Sequence, residues 1–136
     1  MSRSVLQDFI VVLPGFAPDF AKQIIQWTLE RIQPRIVSFE DQSSQLRELL
    51  AEIYEREEEW SEAAKALSGI PFESGHRAIQ PDYKLNIFVK IAQLYLEDED
   101  HISAEAFINR ASVHIHDSKD ATVQLKFKVA LLFFIE

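Results

Sequence analysis

The stretch Ile91–Ala111, IAQLYLEDEDHISAEAFINRA, decides the fold. The same residue pattern occurs earlier in the chain at Leu50–Ile70, LAEIYEREEEWSEAAKALSGI. The later copy lies 41 residues after the earlier one. In the later copy Tyr95 ends one helical pattern, an acidic turn follows, and Ala104 stands early in the next pattern. A small residue lets two antiparallel helix backbones approach closely, and a ring fills the space alongside. Repetition at such a period is typical of stacked helical repeats.

The order of large and small residues in each copy matches the tetratricopeptide repeat. The later copy fits throughout, whereas Arg47 and Ile70 depart from the pattern in the earlier one. The repeat is about seven residues longer than the usual period of roughly 34, and the extra residues fall in the loop 71–80. The predicted repeat-packing residues are Leu50, Ala51, Tyr54, Ala63, Leu67, Ile91, Ala92, Tyr95, Ala104, Ile108 and Ala111.

Glycine and proline mark the boundaries between the predicted helices. The 3 glycines and 5 prolines are clustered, and both residue types interrupt regular structure. Together with the periodic spacing of apolar residues they predict hairpins at about 4–33, 39–68 and 82–113 and a last helix at about 120–136. The sequence therefore predicts an all-α fold of about seven helices. We expect a right-handed α-solenoid of tetratricopeptide-like or HEAT-like hairpins, with residues 1–136 forming a single segment.

Four helix ends carry local signals. Asp19 is expected to cap the second helix, and Ser38 with Asp41 resembles a capping box for the third. Gly69 is expected to end a helix as the residue just past its C-cap. Asp100 is expected to cap the second helix of the later repeat.

Apolar stripes predict which helix faces are buried. In the second helix the apolar residues that predict its inner face are Phe20, Ile24, Trp27, Leu29 and Ile32. Trp27 and Trp60 both lie on apolar stripes, so we expect both rings in the core. The run 130–135 is apolar on all sides. It is expected either to pack against a further partner or to be an exposed apolar end.

Composition excludes several classes of function. The net charge of −8 argues against a nucleic-acid partner, because binding to phosphates needs an excess of cations. The absence of cysteine excludes disulfides, thiolate metal sites and cysteine nucleophiles. No apolar run approaches the roughly 18 residues of a membrane-spanning helix, and the first residues lack the pattern of a signal peptide. We therefore expect no membrane partner.

The sequence offers no convergent catalytic groups. The scattered glycines cannot form a phosphate-binding loop, and no nucleophile elbow is present. His114 and His116 are two residues apart, so a helix would place them on different sides. We predict no catalytic residue, no metal site and no cofactor, and hence a protein that is not an enzyme.

The acidic turns of the two repeats form the candidate partner surface. Neither turn has the alternating ligands and central glycine of a calcium loop. A solvated turn is the plainer interpretation, and a rim that meets a basic partner is the functional one. The residues of this candidate surface are Glu57, Glu58, Glu59, Glu97, Asp98, Glu99 and Asp100.

Several strings resemble a known family. They are IQPR at 32–35, SFE at 38–40, YKL at 83–85 and the longer runs 91–100 and 104–112. Together they are similar to the family of subunit four of the COP-nine signalosome, which is related to lid subunits of the proteasome and subunits of translation-initiation factor three. The resemblance extends from about Arg3 to Val129.

The resemblance implies a non-catalytic scaffold. Family members combine a helical-repeat arm with a winged-helix module and an assembly helix. Their complex removes the ubiquitin-like modifier Nedd from cullin ubiquitin ligases through a zinc protease in another subunit. The implied partners are other signalosome subunits and cullin–RING ubiquitin ligases, and the implied location is the cytoplasm and nucleus. Because a winged-helix pattern is missing, we expect an N-terminal helical-repeat fragment of a longer arm.

Two other interpretations stay open at this point. One is an independent tetratricopeptide-type adaptor that holds an acidic peptide, for which the first helices of the repeats offer only Arg47, Lys84 and Asn86. The other is a related proteasome-lid subunit.

Overall fold

The computed structural model describes residues 2–70, 72 and 80–135, and it confirms the all-α prediction, since these residues contain no strand. The predicted loop 71–80 lies outside the described residues, apart from Phe72 and Gln80. Short 3₁₀ turns cover Leu13–Gly15, Gln33–Phe39 and Ile115–Asp117. The α-helices of the described part are α1 (Arg3–Val12), α2 (Pro18–Ile32), α3 (Glu40–Arg56), α4 (Trp60–Ser68), α5 (Pro81–Glu97), α6 (His101–His114) and α7 (Ala121–Ile135).

Helices α3 and α5 run in the same direction. The hydroxyl of Tyr83 on α5 donates a hydrogen bond to Glu48 on α3 at 3.2 Å, and Lys90 contacts Glu55 at 2.6 Å. The second of these pairs lies seven residues after the first in both helices, so the register between α3 and α5 is constant. Equivalent helices of successive hairpins are therefore parallel, as expected for stacked repeats. The right-handed sense of the solenoid stays a prediction.

Helix α2 runs against α3. Lys22 near the start of α2 pairs with Glu57 beyond the end of α3 at 2.8 Å, while Gln26, one turn later, donates to the Tyr54 hydroxyl at 2.9 Å. The hydrogen bond that Lys22 donates to the Glu57 carboxylate is the largest cause of the raised pKa of Lys22. Contacts that step forward along α2 thus step backward along α3.

Helix α5 lies at the centre of the described core. It packs against α4, α6 and α7, and this position explains why its sequence is apolar around most of its circumference. Pro81 lies in the first turn of α5. Proline is favoured there because a backbone N–H at that position would have no partner within the helix. The largest fully buried apolar side chains along the chain are Leu6, Leu13, Ile25, Leu46, Leu85, Val89 and Ile91.

The predicted cap of α2 is wrong. The N-cap is Ala17 without a side-chain hydrogen bond, and Asp19 lies inside the first turn. The reason is Pro18, whose fixed φ and missing N–H favour the first helical position and so move the helix start ahead of Asp19. Asp19 instead lies 3.6 Å from Lys22.

The predicted capping box at Ser38 and Asp41 is also wrong. The chain continues from α2 through a 3₁₀ segment as far as Phe39, and α3 begins at Glu40 without a side-chain cap. Ser38 is therefore inside the connecting turn, where its carbonyl accepts a hydrogen bond from Arg3 Nε at 2.7 Å.

The predicted inner face of α2 is rotated relative to the observed one. The buried residues are Ala21, Ile25, Thr28 and Ile32, of which Ile32 belongs to the predicted set. Phe20 is exposed, and Trp27 is 51% exposed, so the prediction that the Trp27 ring lies in the core is wrong. Thr28 is tolerated inside because its hydroxyl donates to the Ile24 carbonyl at 2.7 Å. The other tryptophan, Trp60, is partly buried against the core.

Helix α7 is apolar on two faces. Val123, Phe127 and Ala130 are buried on the side that packs against α5 and α6. Leu132 and Phe133 are exposed on the outer side, so the apolar run at 130–135 covers the core with only part of its circumference.

Candidate protein-interaction surface

The two repeats form hairpins with the same turn, which we call repeat hairpin 1 (α3–α4) and repeat hairpin 2 (α5–α6). Among the described residues, Glu58 and Glu99 are the non-glycine positions with positive φ, at 58° and 60°. They occupy equivalent places in the repeat. A left-handed residue just past the last turn is how many helices end, although glycine is the usual choice there.

Hydrogen bonds close both turns in the same way. The Glu59 N–H bonds to the Tyr54 carbonyl at 2.8 Å, and the Asp100 N–H bonds to the Tyr95 carbonyl at 2.9 Å. These six-to-one bonds define the Schellman motif. The turn therefore sets the direction of the second helix in each hairpin relative to the repeated tyrosine.

The predicted repeat-packing residues lie mostly in the interior. Ten of the eleven are buried, and Ala63 and Ala104 are fully so. Tyr54 is half-buried. Rings flank the small residues in repeat hairpin 2, where Tyr95 stacks on Phe107 with centroids 6.1 Å apart.

Repeat hairpin 1 contains a half-buried arginine in place of an aromatic ring. The guanidinium of Arg47 donates to the Ala66 carbonyl at 3.2 Å near the end of α4, and burial lowers the pKa of the arginine. A Cβ atom at Gly69 would overlap this guanidinium. Gly69 is the C-cap itself and has right-handed φ. The prediction that Gly69 is the residue just past the C-cap is thus wrong, and glycine at this position instead leaves space for the Arg47 guanidinium.

Repeat hairpin 2 has different side chains at the two positions equivalent to Arg47 and Gly69. Phe88 stands where hairpin 1 has Arg47, and Arg110 stands where hairpin 1 has Gly69. The Arg110 guanidinium lies 5.6 Å from the Phe88 ring centroid and 5.2 Å from that of Phe107. Each hairpin therefore has one arginine in this region, but on opposite helices.

The two hairpins and α7 enclose a hollow at their turn end. Its volume is about 570 Å³. Its charged residues come from both hairpins, and its apolar residues include Trp60 and Phe133. We call it the acidic hollow, lined by Glu55, Trp60, Lys90, Gln93, Leu94, Leu96, Glu97, Glu99, His101 and Phe133.

The charge of the acidic hollow is only partly balanced. Lys90 is paired with Glu55 at 2.6 Å. Glu97 and Glu99 are exposed, and no salt bridge links either to another described residue. Carboxylates beside an aromatic ring suit a lysine or arginine side chain, which can pair with the acids and lie against the ring.

The predicted acidic surface divides into residues with different surroundings. Glu97 and Glu99 line the acidic hollow, whereas Glu57 is paired with Lys22. Asp100 caps α6 as predicted, accepting from the Ser103 N–H at 3.1 Å, and this hydrogen bond lowers its pKa. The remaining acids, exposed and outside the hollow, are Glu58, Glu59 and Asp98.

Of the residues that line the acidic hollow, sequence reasoning named Glu97 and Glu99 alone. Glu55, Trp60, Lys90 and Phe133 are among those it missed, and they meet because α4 packs against α3 and α5 while α5 packs against α7. The repeat pattern indicates which residues are equivalent, but it does not state which residues of neighbouring helices touch. The apolar stripe of Trp60 and the apolar run that contains Phe133 are signals for packing or contact, but nothing in the sequence brings these rings together with Glu55 and Lys90.

The described part of the chain contains no candidate metal cluster. No group of three or more histidine, aspartate or glutamate residues there is placed to hold a metal ion. His114 stacks on Phe88 with ring centroids 6.0 Å apart, so its surroundings are aromatic. Among the described residues no helix has both the length and the apolar character to cross a membrane.

Stacked antiparallel helix pairs with a conserved turn geometry place the chain in the class of helical-repeat proteins. The chain belongs to the family described as PSMD12/CSN4, N-terminal, whose family model matches residues 1–134. It is 49% identical over 129 residues to COP9 signalosome complex subunit 4 of Arabidopsis thaliana, and 42% identical over 129 residues to the Drosophila melanogaster protein of the same name. The Dictyostelium discoideum protein of that name is 42% identical over 128 residues.

These matches cover 95%, 95% and 94% of the chain but 32%, 32% and 33% of the respective relatives. The chain thus spans about a third of the length of the curated relatives that it matches.

Proposed function

We propose that the chain is a non-catalytic scaffold arm of a signalosome subunit four, and that it mediates protein–protein contacts in the removal of Nedd from cullin ubiquitin ligases. The observation that carries the proposal is the family membership together with 36–49% identity to proteins named COP9 signalosome complex subunit 4. The proposed partners are other signalosome subunits and cullin–RING ligases, in the cytoplasm and nucleus.

The acidic hollow is the proposed contact site for a basic segment of such a partner. It combines the exposed carboxylates of Glu97 and Glu99 with the ring of Trp60. The net charge of −8 favours encounter with a basic surface and makes that encounter sensitive to salt.

The adaptor alternative has less support. It requires cations directed outward along the first helices of the repeats, and Arg47 is instead half-buried and bonded to the Ala66 carbonyl. Asn86 is exposed and Lys84 half-exposed, which leaves one cation for an acidic peptide. The proteasome-lid alternative shares the family description, but the relatives cited above carry the signalosome name.

Binding to a purified, neddylated cullin–RING ligase tests the proposal. We expect the chain to bind, and we expect Glu97→Lys with Glu99→Lys to weaken binding by about tenfold or more. Glu62→Lys with Glu105→Lys makes the same change in net charge at exposed positions outside the acidic hollow and is the matched control. Absence of binding by the wild-type chain would refute the scaffold role, and equal binding by the double variant would refute the site. Cleavage of Nedd by the isolated chain would refute its non-catalytic character.

A further inference from the structure

Helix α2 has a second apolar face that is partly open to solvent. The inner face packs against the chain, while Phe20, Ile24 and Trp27 recur at helical spacing on the neighbouring side of the helix, where Phe20 and Trp27 are exposed and Ile24 is partly buried. The outer face carries the larger side chains, including an aromatic ring that is half in solvent. Exposed apolar surface organised along a helix is typical of a contact site rather than of scattered surface residues.

Helix α1 completes this face as a groove. The groove has a volume of about 320 Å³. Its one hydroxyl, on Thr28, is already bonded to the Ile24 carbonyl at 2.7 Å, so the walls hold a ligand through apolar contact alone. We call it the outer groove, lined by Val5, Leu6, Phe9, Ile24, Trp27 and Thr28.

One end of the outer groove is basic. The Arg31 guanidinium lies over the Trp27 ring at 5.1 Å, and Arg31 and Arg35 together line an adjoining hollow of about 340 Å³. Neither arginine pairs with an acid among the described residues. Arg3, where α1 begins, lies at the same end, and Glu30 is the nearby acid on α2.

This local excess of positive charge is opposite to the charge of the whole chain, which is −8. A partner with the same apolar residues but a basic end would be repelled by the two arginines, whereas carboxylates would satisfy them. A groove between two helices with apolar walls is suited to a third helix, which inserts side chains at positions i, i+3 or i+4, and i+7.

We propose that the outer groove docks an amphipathic helix of a partner protein, with apolar side chains against Trp27, Ile24 and Val5 and with carboxylates at the end next to Arg31 and Arg35. This surface is separate from the acidic hollow, and the inference does not depend on the proposed function. The central contact is the Trp27 ring, since an exposed tryptophan beside an arginine is typical of residues that dominate binding.

Selection from a displayed library of random peptides of about 15 residues, long enough for a helix of about four turns, tests the proposal. We expect the enriched peptides to share apolar residues at helical spacing and aspartate or glutamate at one end. Their affinity is then measured for three variants of the chain. These are Trp27→Ala, the double variant Arg31→Glu/Arg35→Glu, and the control Leu132→Ala, which removes an exposed apolar side chain of α7 that lies outside both the outer groove and the acidic hollow.

The first two variants are expected to weaken the selected peptides by about tenfold or more, and the control is expected to leave them unchanged. All four substituted positions are on the surface, so thermal midpoints should stay close to that of the wild type. Enrichment of basic peptides, absence of any enriched helical pattern, or equal affinity for Trp27→Ala would overturn the proposal. None of these outcomes bears on binding at Glu97 and Glu99, so failure here is distinguishable from failure of the proposed function.

Discussion

Repeat hairpins 1 and 2 share a backbone design but fill it with different side chains. Both turns have a left-handed glutamate and a six-to-one hydrogen bond to a tyrosine carbonyl. Beside the turns, hairpin 1 combines Arg47 with Gly69, whereas hairpin 2 combines Phe88 with Arg110. The arginine lies on the first helix in one hairpin and on the second helix in the other.

This difference indicates that the turn and the small residue define the repeat. The space next to them can be filled by two different arrangements of side chains. In hairpin 1 a glycine leaves room for a long cation that reaches the Ala66 carbonyl. In hairpin 2 a ring fills the space and the cation lies on top of it. Each arrangement needs both of its members, so the two positions should be coupled in each hairpin.

The largest expected effect is from overfilling the small positions. Ala63→Leu and Ala104→Leu should each lower the free energy of unfolding by about 1–3 kcal/mol, because extra methyl groups in a packed site force side chains out of their rotamers. The loss should be greater for Ala104, whose hairpin is packed with stacked rings. Chemical denaturation measures both, with exposed Ala106→Leu as the control. Unchanged stability in both variants would show that close helix approach does not depend on these alanines.

A double-mutant cycle at Arg47 and Gly69 tests the coupling in hairpin 1. Gly69→Ala should destabilise the wild type by about 1 kcal/mol, since the new Cβ displaces the guanidinium from its carbonyl partner. In an Arg47→Met background the same change should stabilise by about 0.4–1 kcal/mol, because the backbone at residue 69 suits alanine.

The control for this cycle is Gly15→Ala, where a Cβ would meet nothing within 4 Å. Additive effects at positions 47 and 69 would contradict the proposed difference between the two hairpins.

The left-handed glutamates give a smaller effect that should be equal in the two hairpins. Glu58→Gly and Glu99→Gly should each stabilise the chain by about 0.5–1 kcal/mol, because glycine adopts positive φ without the steric cost borne by other residues. Thermal melts of the two single variants measure this. A gain in one hairpin and a loss in the other would mean that the turns are not equivalent.

The smallest expected effect concerns the helix caps. Asp100 caps α6 by accepting from the Ser103 N–H, whereas Glu59 makes no such bond to α4 although its backbone is similar. Glu59→Asp should therefore stabilise the chain by about 0.5 kcal/mol by adding the missing cap. An unchanged thermal midpoint would contradict the equivalence of the two N-caps.

The Asp100 cap also has a pH dependence. Because the native pKa of Asp100 lies below its usual value, its contribution is fully present above that usual value and is lost as the pH falls through the lowered one. The stability difference between the wild type and Asp100→Ala should shrink in acid for this reason. A constant difference between neutral and acid pH would contradict the cap.

The repeat, the helix count and the Asp100 cap follow from the sequence because each depends on local spacing or on residues close together in the chain. The face of α2 does not, since two apolar stripes compete and the smaller one, with Ala21 and Thr28, packs inside. Likewise the hollow residues Glu55 and Lys90 meet only through the parallel register of α3 and α5. Long-range register depends on helix packing and leaves no mark in the pattern of either helix alone.

Hydrogen-exchange footprinting of the chain bound to a neddylated cullin–RING ligase tests the central functional claim most directly. We predict slowed exchange at the turn of repeat hairpin 2, around residues 97–101, with little change on the exposed face of α6. Protection absent from this turn in a saturated complex would contradict the acidic hollow as the contact site, even if binding itself is retained.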